Sequence, residues 1–179
     1  MRLFVGFLIP EEFKSSIVAL QSEIEQLGAD CKNVESENLH ISMSFLGETA
    51  TEDTEKIKED MNLIASQFKE FYVDIKGTLA IPSKNFVRVV ALDIFDESDV
   101  LEKLTNEIRQ KIGGDVKPPH LTLCRVKSTR NKDSIIGFVA KYENKSFVSI
   151  KISSIQLIES KLERDGPKYS AVAESFLRK

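Results

Sequence analysis

Two short segments of the chain begin with a histidine and continue in an alternating polar and apolar pattern. They read "HISMSFL" from His40 and "HLTLCRV" from His120, and these are the two histidines of the sequence. Period-two alternation predicts β-strands, in which residues i and i+2 lie on the same face. Each predicted strand therefore presents an imidazole beside a small hydroxyl, which is supplied by Ser42 in the first strand and by Thr122 in the second.

Two imidazoles and two hydroxyls across a cleft are suited to phosphoryl transfer. In-line displacement at phosphorus places the attacking and leaving oxygens on opposite sides, so one imidazole can remove a proton while the other donates one. The ordinary pKa of histidine, about 6.5, allows both protonation states near neutrality. A metal site fits this pattern poorly because no third or fourth ligand is clustered with the histidines, and no G-x-S-x-G motif supports a serine nucleophile.

Two runs of predicted elements share the order strand, amphipathic helix, glycine stop and histidine strand. They are a strand over 3–9, a helix ending at Gly28 and the His40 strand, and then a strand over 86–94, a helix over 98–112 ending at Gly113 and the His120 strand. The other predicted elements are helices over 52–68 and 132–141 and strands over 71–76, 147–153, 155–162 and 169–176. This order predicts an α+β fold with pseudo-repeats over about 1–50 and 84–128, the later strands completing the lobes. We expect one bilobal domain over 1–179, because no linker rich in Pro, Gly or Ser separates the halves.

The composition is that of an ordinary globular protein, with 179 residues, 41% hydrophobic and 30% charged. No apolar run approaches the roughly 18 residues of a membrane span, and the N-terminus lacks a signal-peptide pattern. Cys31 and Cys124 are too few for a disulfide framework, so we expect reduced thiols and a cytoplasmic location.

The charge pattern bears on nucleic acid binding. A net charge of −3 argues against a protein that coats nucleic acid nonspecifically. A local basic surface stays open, because "VKPPHLTLCRVKSTRNK" carries five Lys and Arg residues without one acidic residue. That segment is either a solvated loop or a phosphate-binding surface.

These features resemble the 2H phosphoesterase superfamily and, more closely, its RNA 2′,3′-cyclic phosphodiesterase branch, historically called 2′-5′ RNA ligase. The similarity covers nearly the whole chain: "RLFVGFLIP" is similar to the opening strand of that branch, "LHISMSFLG" to its first motif and "PPHLTLCRVK" to its second. The tail "ESKLERDGPKYSAVAESFLRK" is similar to its closing hairpin. The resemblance implies a duplicated two-lobe 2H phosphoesterase fold, with antiparallel sheets lining a central cleft and helices outside.

The resemblance also implies roles for individual residues. His40 and His120 would be the catalytic pair, with His40 as the general acid toward the leaving 3′ oxygen and His120 as the base that activates water. The sequence alone does not order these two roles. Ser42 and Thr122 would bind the phosphate, and Ser42 stands where the family usually has threonine, which leaves its hydroxyl less restricted.

Two further roles conflict with simple strand alternation. By resemblance, Phe45 would stack on a base and Arg125 would neutralise the phosphate, each five residues after a histidine. Alternation puts both on the opposite face, so either the strands bulge or twist there, or Phe45 packs in the core and Arg125 is a solvated charge. Alternation also places Cys124 on the face of His120, where we interpret it as a small filler rather than a nucleophile.

We therefore predict a metal-independent phosphodiesterase that needs no cofactor. It would open a 2′,3′-cyclic phosphate at an RNA end, tRNA fragments among the candidates, to leave a 2′-phosphate. The resemblance implies slow reverse 2′-5′ ligation as a side activity. We expect a monomer that does not bind membranes. The alternatives are a 2H enzyme that acts on small nucleotide cyclic phosphates and an RNA-binding module without catalysis.

Overall fold

The computed structural model describes all 179 residues, which form nine strands and four helices. The strands are β1 (Arg2–Leu8), β2 (Cys31–Asn33), β3 (His40–Glu48), β4 (Phe71–Pro82), β5 (Val87–Phe95), β6 (His120–Val126), β7 (Ser146–Ile152), β8 (Ser154–Glu163) and β9 (Gly166–Phe176). The helices are α1 (Glu11–Gln26), α2 (Asp53–Ala65), α3 (Val100–Lys111) and α4 (Lys132–Tyr142). Every predicted helix and strand is present. The short strand β2 was not predicted, because the segment around "CKN" is polar and has no alternation.

All strand pairs are antiparallel and belong to one sheet in the order β7-β4-β5-β6-β3-β1-β8-β9, with β2 paired to β6. The sheet has two halves, one built from β3, β1, β8 and β9 and the other from β6, β5, β4 and β7. The two halves are joined where Ile41 of β3 pairs with Leu121 of β6. The α+β antiparallel architecture is thus confirmed, and the two histidine strands are neighbours at its centre.

One face of the sheet packs against the helices. Ile17, Leu20 and Ile24 of α1 are buried, as the helical spacing of these apolar residues predicts. They form a single core with alternate strand residues such as Val5 and Ile41. The apolar residues of the helices and the apolar residues of the histidine strands therefore pack together on one face of the sheet. The polar residues of the histidine strands lie on the other face. No helix combines the length and apolar character needed to cross a membrane.

Candidate active site

The β3 strand carries a bulge at the residue directly after Ser42. Gly6 of β1 pairs with Ser42 and its neighbour Val5 pairs with Ser44, so Met43 has no partner in the ladder. Two consecutive residues, Met43 and Ser44, are consequently buried, and the alternation of the strand is reversed beyond them. The reversal returns the next residue, Phe45, to the face of His40, where 38% of its surface is exposed.

The β6 strand carries the same bulge at the equivalent place. Ala91 of β5 pairs with Thr122 and Val90 pairs with Cys124, which leaves Leu123 without a partner. Leu123 and Cys124 are both buried, and Arg125 is returned to the exposed histidine face. Of the two alternatives left open by the sequence, the bulge is the one found. Phe45 and Arg125, each five residues after a histidine, therefore both lie on the histidine face of the sheet.

The same bulge corrects the prediction for Cys124. Its side chain is fully buried rather than exposed beside His120. Burial, together with the thiol of Cys31, raises the pKa of Cys124 to about 12. A buried thiol with so high a pKa holds almost no thiolate near neutrality.

The pairing of β3 with β6 brings the four motif side chains together. Because Ile41 lies opposite Leu121 in an antiparallel register, His40 lies opposite Thr122 and Ser42 lies opposite His120. Side chains directly opposite on one face have Cβ atoms about 4.5–5.5 Å apart. Each imidazole therefore has a hydroxyl two residues along its own strand and a second one across the pair.

Each imidazole is held by the backbone carbonyl two residues before it. His40 donates from Nδ1 to the carbonyl of Asn38 at 2.7 Å, and His120 donates from Nδ1 to the carbonyl of Pro118 at 2.9 Å. A donating Nδ1 places the acid–base chemistry on Nε2, because the neutral ring then has its lone pair there. The two rings are thus prepared to exchange protons at equivalent atoms.

The side chain of Asn38 ties the closing hairpin of β8 and β9 to the His40 strand. It is buried, its Nδ2 donates to the carbonyl of Pro167 at 2.6 Å, and its Oδ1 accepts from the backbone N–H of Tyr169 at 2.9 Å. The carbonyl that orients His40 is therefore fixed by a second set of hydrogen bonds.

His40 is more enclosed than His120. Its ring centroid lies 5.0 Å from those of both Phe4 and Tyr169, and the Tyr169 ring meets it edge-on. Burial lowers the pKa of His40, and the positive charges of His120 and Arg125 lower it further, against the hydrogen bond to Asn38.

A cavity of about 170 Å³, here called the site cavity, opens beside His40 and Thr122. Arg125, Lys127 and Tyr169 also line it. Burial raises the pKa of Tyr169, with the charge of Arg125 acting in the opposite direction, so its phenol stays protonated. The site cavity thus combines an imidazole, a hydroxyl, cationic groups and an aromatic ring.

One ion pair lies at the rim of the site cavity. Lys32 and Glu35 both line it, and their charged atoms are 3.1 Å apart. The Glu35 carboxylate is thus partly neutralised within the pair, and the positive charges of Arg125 and Lys127 remain available to an anion. The arrangement suits a ligand that carries a phosphate.

The sequence reasoning missed Asn38, Lys32 and Tyr169 as site residues. Asn38 and Tyr169 are 131 positions apart in the chain, so the sequence gives no sign that they are hydrogen bonded. No group of three His, Cys, Asp or Glu side chains in the chain converges to form a metal-binding cluster.

Comparison with known proteins gives consistent results. A family model described as LigT like Phosphoesterase matches residues 7–91. An RNA 2′,3′-cyclic phosphodiesterase of Methanocaldococcus jannaschii is 36% identical, over 97% of this chain and 99% of that protein. A protein of the same name from Archaeoglobus fulgidus is 31% identical, over 94% of this chain and 96% of its own.

Solved structures share the fold. A crystal structure from Thermus thermophilus has a TM-score of 0.83 at 22% identity, and it covers 99% of this chain and 98% of its own. E. coli LigT complexed with 3′-AMP has a TM-score of 0.78 at 20% identity, with the same coverage. At these identities the likeness concerns the fold alone.

Proposed function

The chain belongs to the family of LigT-like 2H phosphoesterases, and we propose that it opens the 2′,3′-cyclic phosphate at an RNA end to leave a 2′-phosphate, by acid–base catalysis with two histidines. Hydrolysis of a cyclic phosphodiester is the activity that its family membership supports. One observation carries the proposed mechanism: two neighbouring strands, each with a bulge directly after its hydroxyl residue, present His40 and His120 on one face of the sheet, each held at Nδ1.

The proposed reaction moves one proton at each histidine. Nε2 of His120 accepts a proton from water as the water oxygen bonds to phosphorus. The bond from phosphorus to the 3′ oxygen breaks, and Nε2–H of protonated His40 donates its proton to that oxygen. The anionic phosphate favours the imidazolium of His40 and so opposes the effect of burial on its pKa.

Ser42, Thr122 and Arg125 are proposed to bind the phosphate. The two hydroxyls lie opposite the imidazoles and can donate hydrogen bonds to the non-bridging oxygens. Arg125 supplies a positive charge at the site cavity, where negative charge grows in the transition state.

Phe45 is proposed to stack on a base. Its ring lies on the histidine face, and the guanidinium of Arg2 sits 5.2 Å from its centroid. An exposed aromatic ring beside a cation is the usual platform for an unpaired base.

The proposed substrate is a cytoplasmic RNA end, with tRNA fragments among the candidates, and the proposed acting form is a monomer. Slow reverse 2′-5′ ligation to a 5′-hydroxyl end is proposed as a side activity, since the same two proton transfers run backwards.

The test is incubation with an RNA that ends in a 2′,3′-cyclic phosphate, in the presence of EDTA, with identification of the product end. We expect a 2′-phosphate. His40→Ala and His120→Ala should each lower kcat by about 10²-fold or more, without loss of folding. Cys124→Ala is the matched control, because its side chain lies two residues from Thr122 but points into the core.

Three results would contradict the proposal. They are an unchanged RNA end, full activity in either histidine variant, and complete loss of activity with EDTA. Hydrolysis of mononucleotide cyclic phosphates without hydrolysis of RNA would show that the substrate is a small nucleotide and that RNA is not.

A further inference from the structure

A second cavity, here called the hairpin groove, adjoins the site cavity. It has a volume of about 610 Å³ and lies between the turn that joins β4 to β5 and the segment that joins β6 to α4. Arg125 and Lys127 line both cavities, so a ligand seated at His40 can extend past these two side chains into the groove.

The hairpin groove concentrates positive charge in a chain whose net charge is −3. Its cations are Arg88, Arg125, Lys127 and Lys132, and no carboxylate lines it. None of the ten ion pairs of the molecule uses any of these four side chains. Lys132 instead donates to the carbonyl of Asn85 and so links the two walls of the groove. The unpaired cations are available to an anionic ligand.

An exposed aromatic ring stands at the entrance of the groove. Phe86 is 55% exposed, and the guanidinium of Arg88 lies 4.8 Å from its ring centroid. A solvent-exposed aromatic side chain within a basic groove is the arrangement by which proteins bind single strands, with the base on the ring and phosphates on the cations.

Val89 of β5 is one of the apolar residues that line the groove. Val89 of β5 pairs with Arg125, just as Phe4 of β1 pairs with Phe45. Phe4 fills the corresponding place with a buried ring, whereas Val89 leaves it open. The surface next to Arg125 of β6 is therefore an open groove, whereas the equivalent surface next to Phe45 of β3 is filled.

We infer that the hairpin groove binds the RNA strand on the 5′ side of the terminal nucleotide. This inference rests on the proposed function, since a cyclic phosphate closes the 3′ end and the chain can continue only in the 5′ direction. Lys127 binds the first phosphate upstream of the one at Arg125, Phe86 stacks on an upstream base, and Arg88 binds the phosphate next to that base. The groove thereby makes the enzyme prefer oligonucleotides to mononucleotides.

The test compares kcat/KM for one nucleoside 2′,3′-cyclic phosphate with that for di- and tetranucleotides that carry the same terminal nucleotide. We expect the wild type to prefer the tetranucleotide. Phe86→Ala should lower kcat/KM for the tetranucleotide by about tenfold, the value of one lost base stack. Arg88→Gln should in addition reduce the dependence of log kcat/KM on log salt by about 0.7, as expected for one lost phosphate contact on a single strand.

The matched control is Lys84→Ala. Lys84 lies on the same turn, but it is paired with Glu143 at 3.0 Å and does not line the groove. Circular dichroism and thermal unfolding verify that each variant is folded. Equal kcat/KM for all substrate lengths in the wild type would overturn the inference, as would equal losses on the mononucleotide and the tetranucleotide in Phe86→Ala. Failure of the proposed function is distinguishable, because no cyclic phosphate of any length would then be opened.

Discussion

In the β3 strand the residues beyond the histidine lie over an aromatic floor, whereas in the β6 strand they lead into the open hairpin groove. The backbones of the two strands match: both have the bulge, the buried pair of residues and the bond from Nδ1 to the second preceding carbonyl. The residues on the neighbouring strands differ. Phe4 and Gly6 of β1 correspond to Val89 and Ala91 of β5.

The ring of Phe4 accounts for this difference. It passes over Gly6 and reaches His40, where it forms one wall around the imidazole. No aromatic ring is packed against His120 in the same way. The shared backbone places the two imidazoles in the same way, and the different floors give each of them its own environment. A repeated backbone can therefore hold two imidazoles in non-equivalent surroundings, as the two proposed proton-transfer roles require.

The largest expected effect separates those roles. A substrate with sulfur in place of the leaving 3′ oxygen needs no general acid, because a thiolate leaves without protonation. We expect His40→Ala, which should lose about 10²-fold or more on the oxygen substrate, to recover on the sulfur substrate to within about tenfold of the wild type. His120→Ala should not recover, since water must still be deprotonated.

Single-turnover rates on the two substrates provide this measurement. Recovery of His120→Ala in place of His40→Ala would reverse the proposed roles. Recovery of neither variant would exclude general acid catalysis by this pair.

A smaller effect on kcat is expected from substitutions at Asn38 and Pro118, the residues whose carbonyls accept hydrogen bonds from the two imidazoles. Asn38→Ala removes the partners of Pro167 and Tyr169 and leaves their buried backbone groups unsatisfied, which costs about 1–3 kcal/mol for each group. The Asn38 carbonyl should then lose its fixed position, and kcat should fall by about tenfold. Pro118→Ala is the matched control: it keeps the carbonyl and removes no hydrogen bond, so kcat should change little.

Urea unfolding gives the loss of stability, and an NMR titration of His40 separates positioning from stability. The His40 titration should shift in Asn38→Ala and stay in place in Pro118→Ala. An unshifted titration with an unchanged kcat would show that Asn38 has only a structural role.

The placement of four site residues could be predicted from the sequence, because alternation over three residues needs no knowledge of the neighbouring strand. His40 with Ser42 and His120 with Thr122 lie on one face for that reason. Alternation could not show on which face Phe45 and Arg125 lie, because the bulges at Met43 and Leu123 depend on how β3 and β6 pair with β1 and β5. A bulge is recognised only when two pairs of partners are known, because the bulged strand then has one more residue between them than its neighbour has.

The fold was predicted on similar grounds. Helices α1 and α3 follow from periodic apolar residues within the helix itself. The short strand β2 forms because its backbone completes the edge of β6, and Asn38 is buried because the closing hairpin covers it. Such contacts join residues far apart in the chain, and a polar segment with no periodicity gives no local sign of them.

The next prediction concerns the residues opposite the two hydroxyls. A Cβ at Gly6 would lie 2.6 Å from the carbonyl oxygen of Ile41 and 3.3 Å from the ring of Phe4. Gly6→Ala should therefore destabilise the fold by about 1–3 kcal/mol and displace the ring that walls His40. The equivalent position in the other half already carries a Cβ in Ala91, so Ala91→Gly should cost no more than about 1 kcal/mol. Urea unfolding of both variants measures the difference, and equal losses would contradict the proposed asymmetry of the floors.

The smallest expected effect is the pH dependence of stability that arises from the burial of His40. Its folded-state pKa lies below the ordinary value of 6.5, so the unfolded chain binds more protons between those two values. The contribution of neutral His40 to stability is therefore complete above pH 6.5 and is lost as the pH falls through that window toward the lowered pKa. His40→Gln keeps a donor for the Asn38 carbonyl but cannot titrate, so the free energy of unfolding should vary less with pH in this range. A slope in His40→Gln equal to that of the wild type would show that the burial of His40 does not set this pH dependence.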